Sequence, residues 1–196
     1  MTKLIAAGLM SALALGAPLA MMPVVAAVPA LAPAWTTDMA ASHLRFSSSV
    51  GGAPFSGSFA RWHADIRFDP KNLAGSSVLV RVNMASAKTG SSDRDEALPG
   101  ADWFSISKYA QASYAAKSFK DLGGGRYQAL GTLTIRGVAR PLALPFTLKI
   151  QGNQARMTGT ATIDRHVFGV GQGQFATADT VPFNVQLAVD VAAKHS

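Results

Sequence analysis

The residue types best suited to chemistry are sparse in this chain and do not converge. His63 and Asp65 are two apart on the polar side of a strand-like run, and could be written as two ligands of a metal. No third ligand stands nearby in sequence, so the pair reads as solvated surface and no metal site is expected. His43, His166 and His195 are isolated. Asp93, Arg94, Asp95 and Glu96 form the one charged cluster with acid–base potential, yet it falls in the first turn of a short helical segment, where carboxylates favour the positive helix end. Residues 168–174, FGVGQGQ, resemble a phosphate-binding glycine loop in composition alone, because a strand rather than a helix follows; a flexible turn is the better reading. A GxSxG elbow, an HExxH pair and a Walker-type loop are all absent. These residues predict no catalytic site, no cofactor and no enzyme.

The elements that would position such residues are nearly all short strands. The clearest alternation lies at residues 126–150, where Tyr127, Ala129, Gly131, Leu133 and Ile135 share one side against Gln128, Thr132, Thr134 and Arg136. The return strand repeats it with Leu142, Leu144, Phe146, Leu148 and Ile150, and residues 136–141 supply a turn around Gly137. Pro145 sits mid-strand, which predicts a place where a ladder donor is not required. Further strands are expected at 42–50, 58–68, 76–84, 154–164 and 181–192, with a looser segment at 113–120. Counting these with the segment at Trp35 or at Ser113 gives roughly eight strands, which suits an all-β, closed antiparallel barrel. One segment breaks the pattern, residues 91–104. There Ser92 can cap a short helix that Pro99 and Gly100 limit, and Trp103 with Phe104 can cover a barrel end. Arg94 and Asp95 are expected to hold that helix against the barrel.

Composition bounds the rest. The 196 residues are 48% hydrophobic and 15% charged, enough for one domain with a core. The formal charge is +7, but Lys and Arg are scattered singly, which argues against nucleic acid and suits transient contact with an anionic membrane surface. Residues 1–34 carry Lys3 as their only charge and a Leu/Ala-rich run, and Ala32 and Ala34 provide small residues at a cleavage site. A signal peptide over 1–34 and a mature domain over 35–196 are therefore expected, with Pro18, Pro23, Pro29 and Pro33 weighing against an uncleaved anchor. Cysteine is absent, so packing alone must hold the fold, and a lysine-bearing signal points to a periplasm.

These residues resemble the YceI-like family, bacterial periplasmic proteins with a lipocalin-like barrel associated with polyisoprenoids and other long apolar ligands. The resemblance runs through Asp38, Ser42, Leu44 and Phe46, then Gly57-Ser58-Phe59 and Phe68-Asp69-Pro70. It is strongest at Thr89-Gly90, Arg94-Asp95 and Leu98, with Asp102-Trp103-Phe104. It closes with Gly131 to Ile135, Gly137, Arg165 and Phe168-Gly169-Val170-Gly171. The chain departs from the family pattern at Ala41, where a histidine often stands, and at Ala110, where a proline usually does.

Small residues on the apolar faces, Ala129, Gly131, Ala155, Gly159 and Ala161, independently suggest a hollow barrel. The expected lining is Phe46, Trp62, Val80, Val82, Trp103, Phe104, Gly131, Leu133, Leu144, Phe146, Met157, Ala161, Phe168 and Phe183. The reading is a non-enzymatic barrel that binds a lipid, polyisoprenoid or isoprenoid quinone for periplasmic carriage or storage. The alternatives are an eight-stranded outer-membrane barrel and, less favoured, an enzyme using the acidic cluster near Arg94. Monomer and homodimer are both left open.

Overall fold

The computed structural model describes residues 30–195, so the expected leader lies outside the described residues except for its last few positions. Among the described residues ten strands form in chain order: β1 (Ala34–Val50), β2 (Ala53–Phe59), β3 (Trp62–Arg67), β4 (Ser77–Asn83), β5 (Ala87–Lys88), β6 (Gln111–Gly123), β7 (Arg126–Ile135), β8 (Val138–Gln151), β9 (Gln154–Asp164) and β10 (Asn184–Lys194). All pair antiparallel in the order β10-β9-β8-β7-β6-β4-β3-β1, and β1 returns to β10 to close the ring. β2 pairs with the far half of β1 and β5 with β2, outside the ring, which leaves the expected eight-stranded barrel. One short helix, α1 (Ser92–Ala97), lies between β5 and β6.

Period-two patterning explains most of this. β4 turns Val78, Val80 and Val82 inward, β8 turns Leu142, Leu144, Phe146 and Leu148 inward, and β10 turns Val185, Leu187, Val189 and Val191 inward. The β7–β8 hairpin pairs as far as Ile135↔Val138, so its turn is Arg136 and Gly137 alone, tighter than the six residues expected. Both sit at positive φ, 50° and 73°, the geometry of a two-residue loop whose twist matches its strands. Pro145 ends the β8–β9 ladder, which runs only from Phe146↔Gly159 to Gln151↔Gln154. The single strand expected over 58–68 is instead the end of β2 and all of β3. Ser86 makes the break: its carbonyl accepts from Ala60 N at 3.2 Å, and its hydroxyl oxygen from Arg61 N at 3.0 Å.

β1 is the irregular member. A bulge between Asp38 and His43 moves its inward face from Trp35 to Leu44 and Phe46. Its ladder with β3 consists of Ala34↔Arg67 and Trp35↔Ile66 only. That end of the barrel is closed by aromatics: Trp35 Nε1 donates to Phe68 O at 2.9 Å, and the Phe68 ring meets Phe119 and Tyr127 edge-on at 5.3 Å each. Residues 30–33 fold over the same end, where Ala32, 1% exposed, donates its N–H to Gly75 O.

The outer face is polar. Arg81 pairs with Asp65 and Arg156 with Asp190 across neighbouring strands, while the apolar side chains of the same strands point inward. A transmembrane barrel requires the reverse, so the outer-membrane alternative is overturned.

Candidate functional site

The inward side chains do not fill the barrel. They enclose a cavity of about 260 Å³, close to the lower end of the usual range for ligand pockets, with a wall that is hydrocarbon almost throughout. Of the residues expected there, Phe46, Trp62, Val80, Val82, Trp103, Phe104, Leu133, Leu144, Phe146 and Met157 line it.

Gly131, Ala161, Phe168 and Phe183 do not. A Cβ on Gly131 would lie 2.6 Å from Tyr114 Cζ and 2.6 Å from Ala115 O, so the glycine is the bed on which the Tyr114 ring lies rather than open space. The Tyr114 hydroxyl reaches 3.1 Å from Ala129 O and 3.2 Å from Leu142 O, and burial pushes its pKa up to about 12. Ala161 faces inward on β9, but beyond the last β8–β9 pair, where those two strands diverge. Phe168 is buried within a 3₁₀ turn behind the cavity wall. Phe183 precedes β10, which begins at Asn184 rather than at 181. There its carbonyl accepts from Arg165 N, and its ring lies against His166 and the Arg165 guanidinium.

The end of the cavity opposite Trp35 is covered by two segments, residues 89–109 and 165–183. Arg165 holds the second. Only 3% exposed, it donates through Nε to Pro182 O, through Nη1 to Val170 and Gly171 O, and through Nη2 to Thr177 and Val181 O. Burial pulls its pKa below the ordinary arginine value, and the nearby Asp164 charge partly opposes this. The flexible turn expected at 168–174 is therefore a pinned structure, with 3₁₀ turns at His166–Phe168 and Gly173–Phe175. Gly171, at φ 83°, passes so close to the guanidinium that a Cβ would meet Arg165 Nη1 at 2.1 Å. The two segments are tied together by Asp102 O, which accepts from Gly171 N and Gln172 N at 2.7 and 2.8 Å. Arg136, in the β7–β8 turn, donates to Ala101 O and Trp103 O.

The acidic cluster stands outside the cavity, since none of Asp93, Asp95 and Glu96 lines it. Asp95 Oδ1 accepts from Thr89 N at 2.7 Å and Thr89 Oγ1 at 2.8 Å, while Oδ2 lies 3.7 Å from Lys88 Nζ. The Thr89 bonds hold its carboxyl below the usual range. These contacts fasten α1 to the end of β5, the role expected of Asp95. Ser91 rather than Ser92 is the N-cap residue, and its side chain makes no capping bond. The His63–Asp65 pair is an exposed surface contact at 3.1 Å, with Arg81 on the other carboxylate oxygen at 2.8 Å. Hydrogen bonds from Arg81, then His63, lower the Asp65 pKa.

Sequence reasoning missed several lining residues. Phe55 and Phe59 belong to β2, a strand hidden by the glycines before it; Trp35 and Phe68 close the aromatic end; Tyr114 crosses Gly131. Val185, Leu187, Val189 and Val191 were signalled by their alternation alone.

Comparison with known proteins bears on this geometry. A family model described as the YceI-like domain matches residues 35–193. A UPF0312 protein of Shewanella sp. (strain ANA-3) is 30% identical over 135 residues, 66% of this chain and 68% of that protein. The crystal structure of Burkholderia cenocepacia BcnA superposes with a TM-score of 0.78 at 29% identity, covering 81% of this chain and 100% of that one. A polyisoprenoid binding domain from Saccharophagus degradans, implicated in plant cell wall breakdown, shares the fold with a TM-score of 0.68 at 16% identity, covering 84% of this chain and 99% of that one.

Proposed function

This chain belongs to the YceI-like family, and we infer that its barrel binds one long apolar or amphiphilic molecule, of the polyisoprenoid or isoprenoid-quinone kind, for carriage or storage in the periplasm. The observation that carries this reading is a closed barrel with an unfilled interior whose wall is almost wholly hydrocarbon. Such a wall can hold a tail through burial alone, at roughly 2.5 kcal/mol per 100 Å² of apolar surface removed from water. The fold shared with a polyisoprenoid binding domain supports the same reading. The function needs no reacting group, and in the acidic cluster the Asp95 carboxylate serves the fastening of α1 instead. Scattered cations on the outer face suit brief contact with an anionic membrane from which such a ligand is drawn.

The test is native mass spectrometry of the protein purified from its own cells after periplasmic fractionation, followed by identification of the released lipid. A soluble periplasmic protein carrying one apolar molecule per barrel is expected. A protein that carries none, and takes up no added isoprenoid, refutes the reading.

A further inference from the structure

A wall of hydrocarbon accounts for a tail but not for the end of an amphiphile, and two polar groups beside the cavity are left without a use. Ser48 faces inward on β1 and lines the cavity at the end opposite the aromatic closure. Its hydroxyl oxygen is sealed from solvent and has no hydrogen-bond partner among the described residues. A buried hydroxyl in that state is disfavoured unless something supplies a partner. Directly across the ladder from Ser48 stands Phe55, whose ring also lines the cavity.

Over that ring lies Arg94, its guanidinium carbon 4.8 Å from the centroid. Arg94 Nε donates to Thr89 Oγ1 at 3.2 Å, and among the described residues its two terminal nitrogens have no hydrogen bond or salt bridge. Four N–H donors of a half-buried, fork-shaped cation therefore remain unspent. The adjacent carboxylate does not take them: Asp95 is engaged by Thr89 on one oxygen and lies near Lys88 on the other. This differs from the expectation that Arg94 serves only to fasten α1.

We propose that Ser48, across the ladder from Phe55, and Arg94, over the Phe55 ring, form a head-group subsite that takes an anionic oxygen terminus, a phosphate or a carboxylate, of the ligand whose tail occupies the cavity. The inference rests on the reading of the barrel as a tail-binding site. A guanidinium fork matches two oxygens of either anion, and a hydroxyl donates to a third oxygen of a phosphate or shares one of the two oxygens of a carboxylate. The stack on Phe55 places the cation where the hydrocarbon wall ends.

The experiment is a titration of delipidated protein, followed by tryptophan fluorescence, with ligands matched in tail: farnesyl phosphate against farnesol, and oleate against oleyl alcohol. Wild-type protein is expected to bind the anion of at least one pair about tenfold more tightly than its alcohol, about 1.4 kcal/mol. The pair that discriminates tells phosphate from carboxylate. Arg94→Gln should lose most of that preference while its affinity for the alcohol is unchanged. Arg94→Lys, which keeps the charge without the fork, should retain part of it, and Ser48→Ala should weaken anion binding alone. Equal affinity for anion and alcohol in wild type overturns the subsite while leaving the tail site standing. A preference that survives both Arg94→Gln and Ser48→Ala overturns the assignment to these residues. Failure to bind any of the four ligands overturns the tail site and the subsite together.

Discussion

Replacing Gly131 by leucine should destabilise the barrel without enlarging or blocking an open space. The new Cβ would lie 2.6 Å from Tyr114 Cζ and 2.6 Å from the Ala115 carbonyl oxygen, so the ring must leave its bed and the hydroxyl must leave Ala129 O and Leu142 O. Overpacking of this kind costs about 1–3 kcal/mol, and the lost buried hydrogen bond about 1 more. For a domain of this size each kcal/mol corresponds to about 2–4 °C, so a fall in Tm of about 5–15 °C is expected, read by thermal denaturation followed by circular dichroism. A double variant separates the cause from a general dislike of leucine at this position. Gly131→Leu combined with Tyr114→Ala removes the ring the leucine collides with, and should melt higher than the sum of the two single losses predicts. An unchanged Tm in Gly131→Leu, with co-purified lipid gone, would mean that the glycine opens directly on the ligand.

Two other expectations follow from the same packing. Tyr114 is held neutral by burial, its pKa raised from 10 to about 12, so its contribution of about 2–3 kcal/mol is fully present below pH 10 and lost as pH rises through about 12. Wild type should therefore lose stability more steeply than Tyr114→Phe in equilibrium unfolding between pH 10 and 12; parallel curves would show that the hydroxyl is solvated. Residues 30–33 bear on the leader, because a cut after Ala34 would remove the Ala32 N bond to Gly75 O, the Phe68 N bond to Pro33 O, and the carbonyls that accept from Arg67 and Asn72. N-terminal sequencing of exported protein is expected to place the mature start before Ala30, and a start at Trp35 would show that these contacts are dispensable.

What could be read in the sequence is what period-two alternation encodes. Leu142 to Leu148, Val78 to Val82 and the β7–β8 hairpin announce both strand and inward face, which is why so many expected lining residues sit on the cavity wall. Alternation is silent about distance across the barrel. Gly131 has the parity of a lining residue, and only the length of Tyr114, seventeen positions earlier, decides that a ring covers it. It is silent too where the chain stops being a strand. Phe183 has the correct parity but lies ahead of β10, in a segment shaped by Arg165, whose five carbonyl partners are scattered along residues 170–182. The bulge in β1 inverts the parity within one strand, so Trp35 and Leu44 both face inward although they are an odd number of positions apart.

The shortest ladder in the ring, that between β1 and β3, has a consequence for how the cylinder meets other chains. Beyond Trp35↔Ile66 the near edge of β3, residues 62–65, has no strand partner on the β1 side, and an unpaired edge is a template on which a foreign strand can add. His63, Asp65 and Arg81 occupy the outer face at that place, two of them on β3 itself and the third on β4 across the ladder. An arriving strand would have to desolvate this polar trio to use the edge. The contact that looked most like a metal pair thus sets polar and charged groups beside the edge where the barrel wall is least continuous, the kind of surface that discourages strand addition.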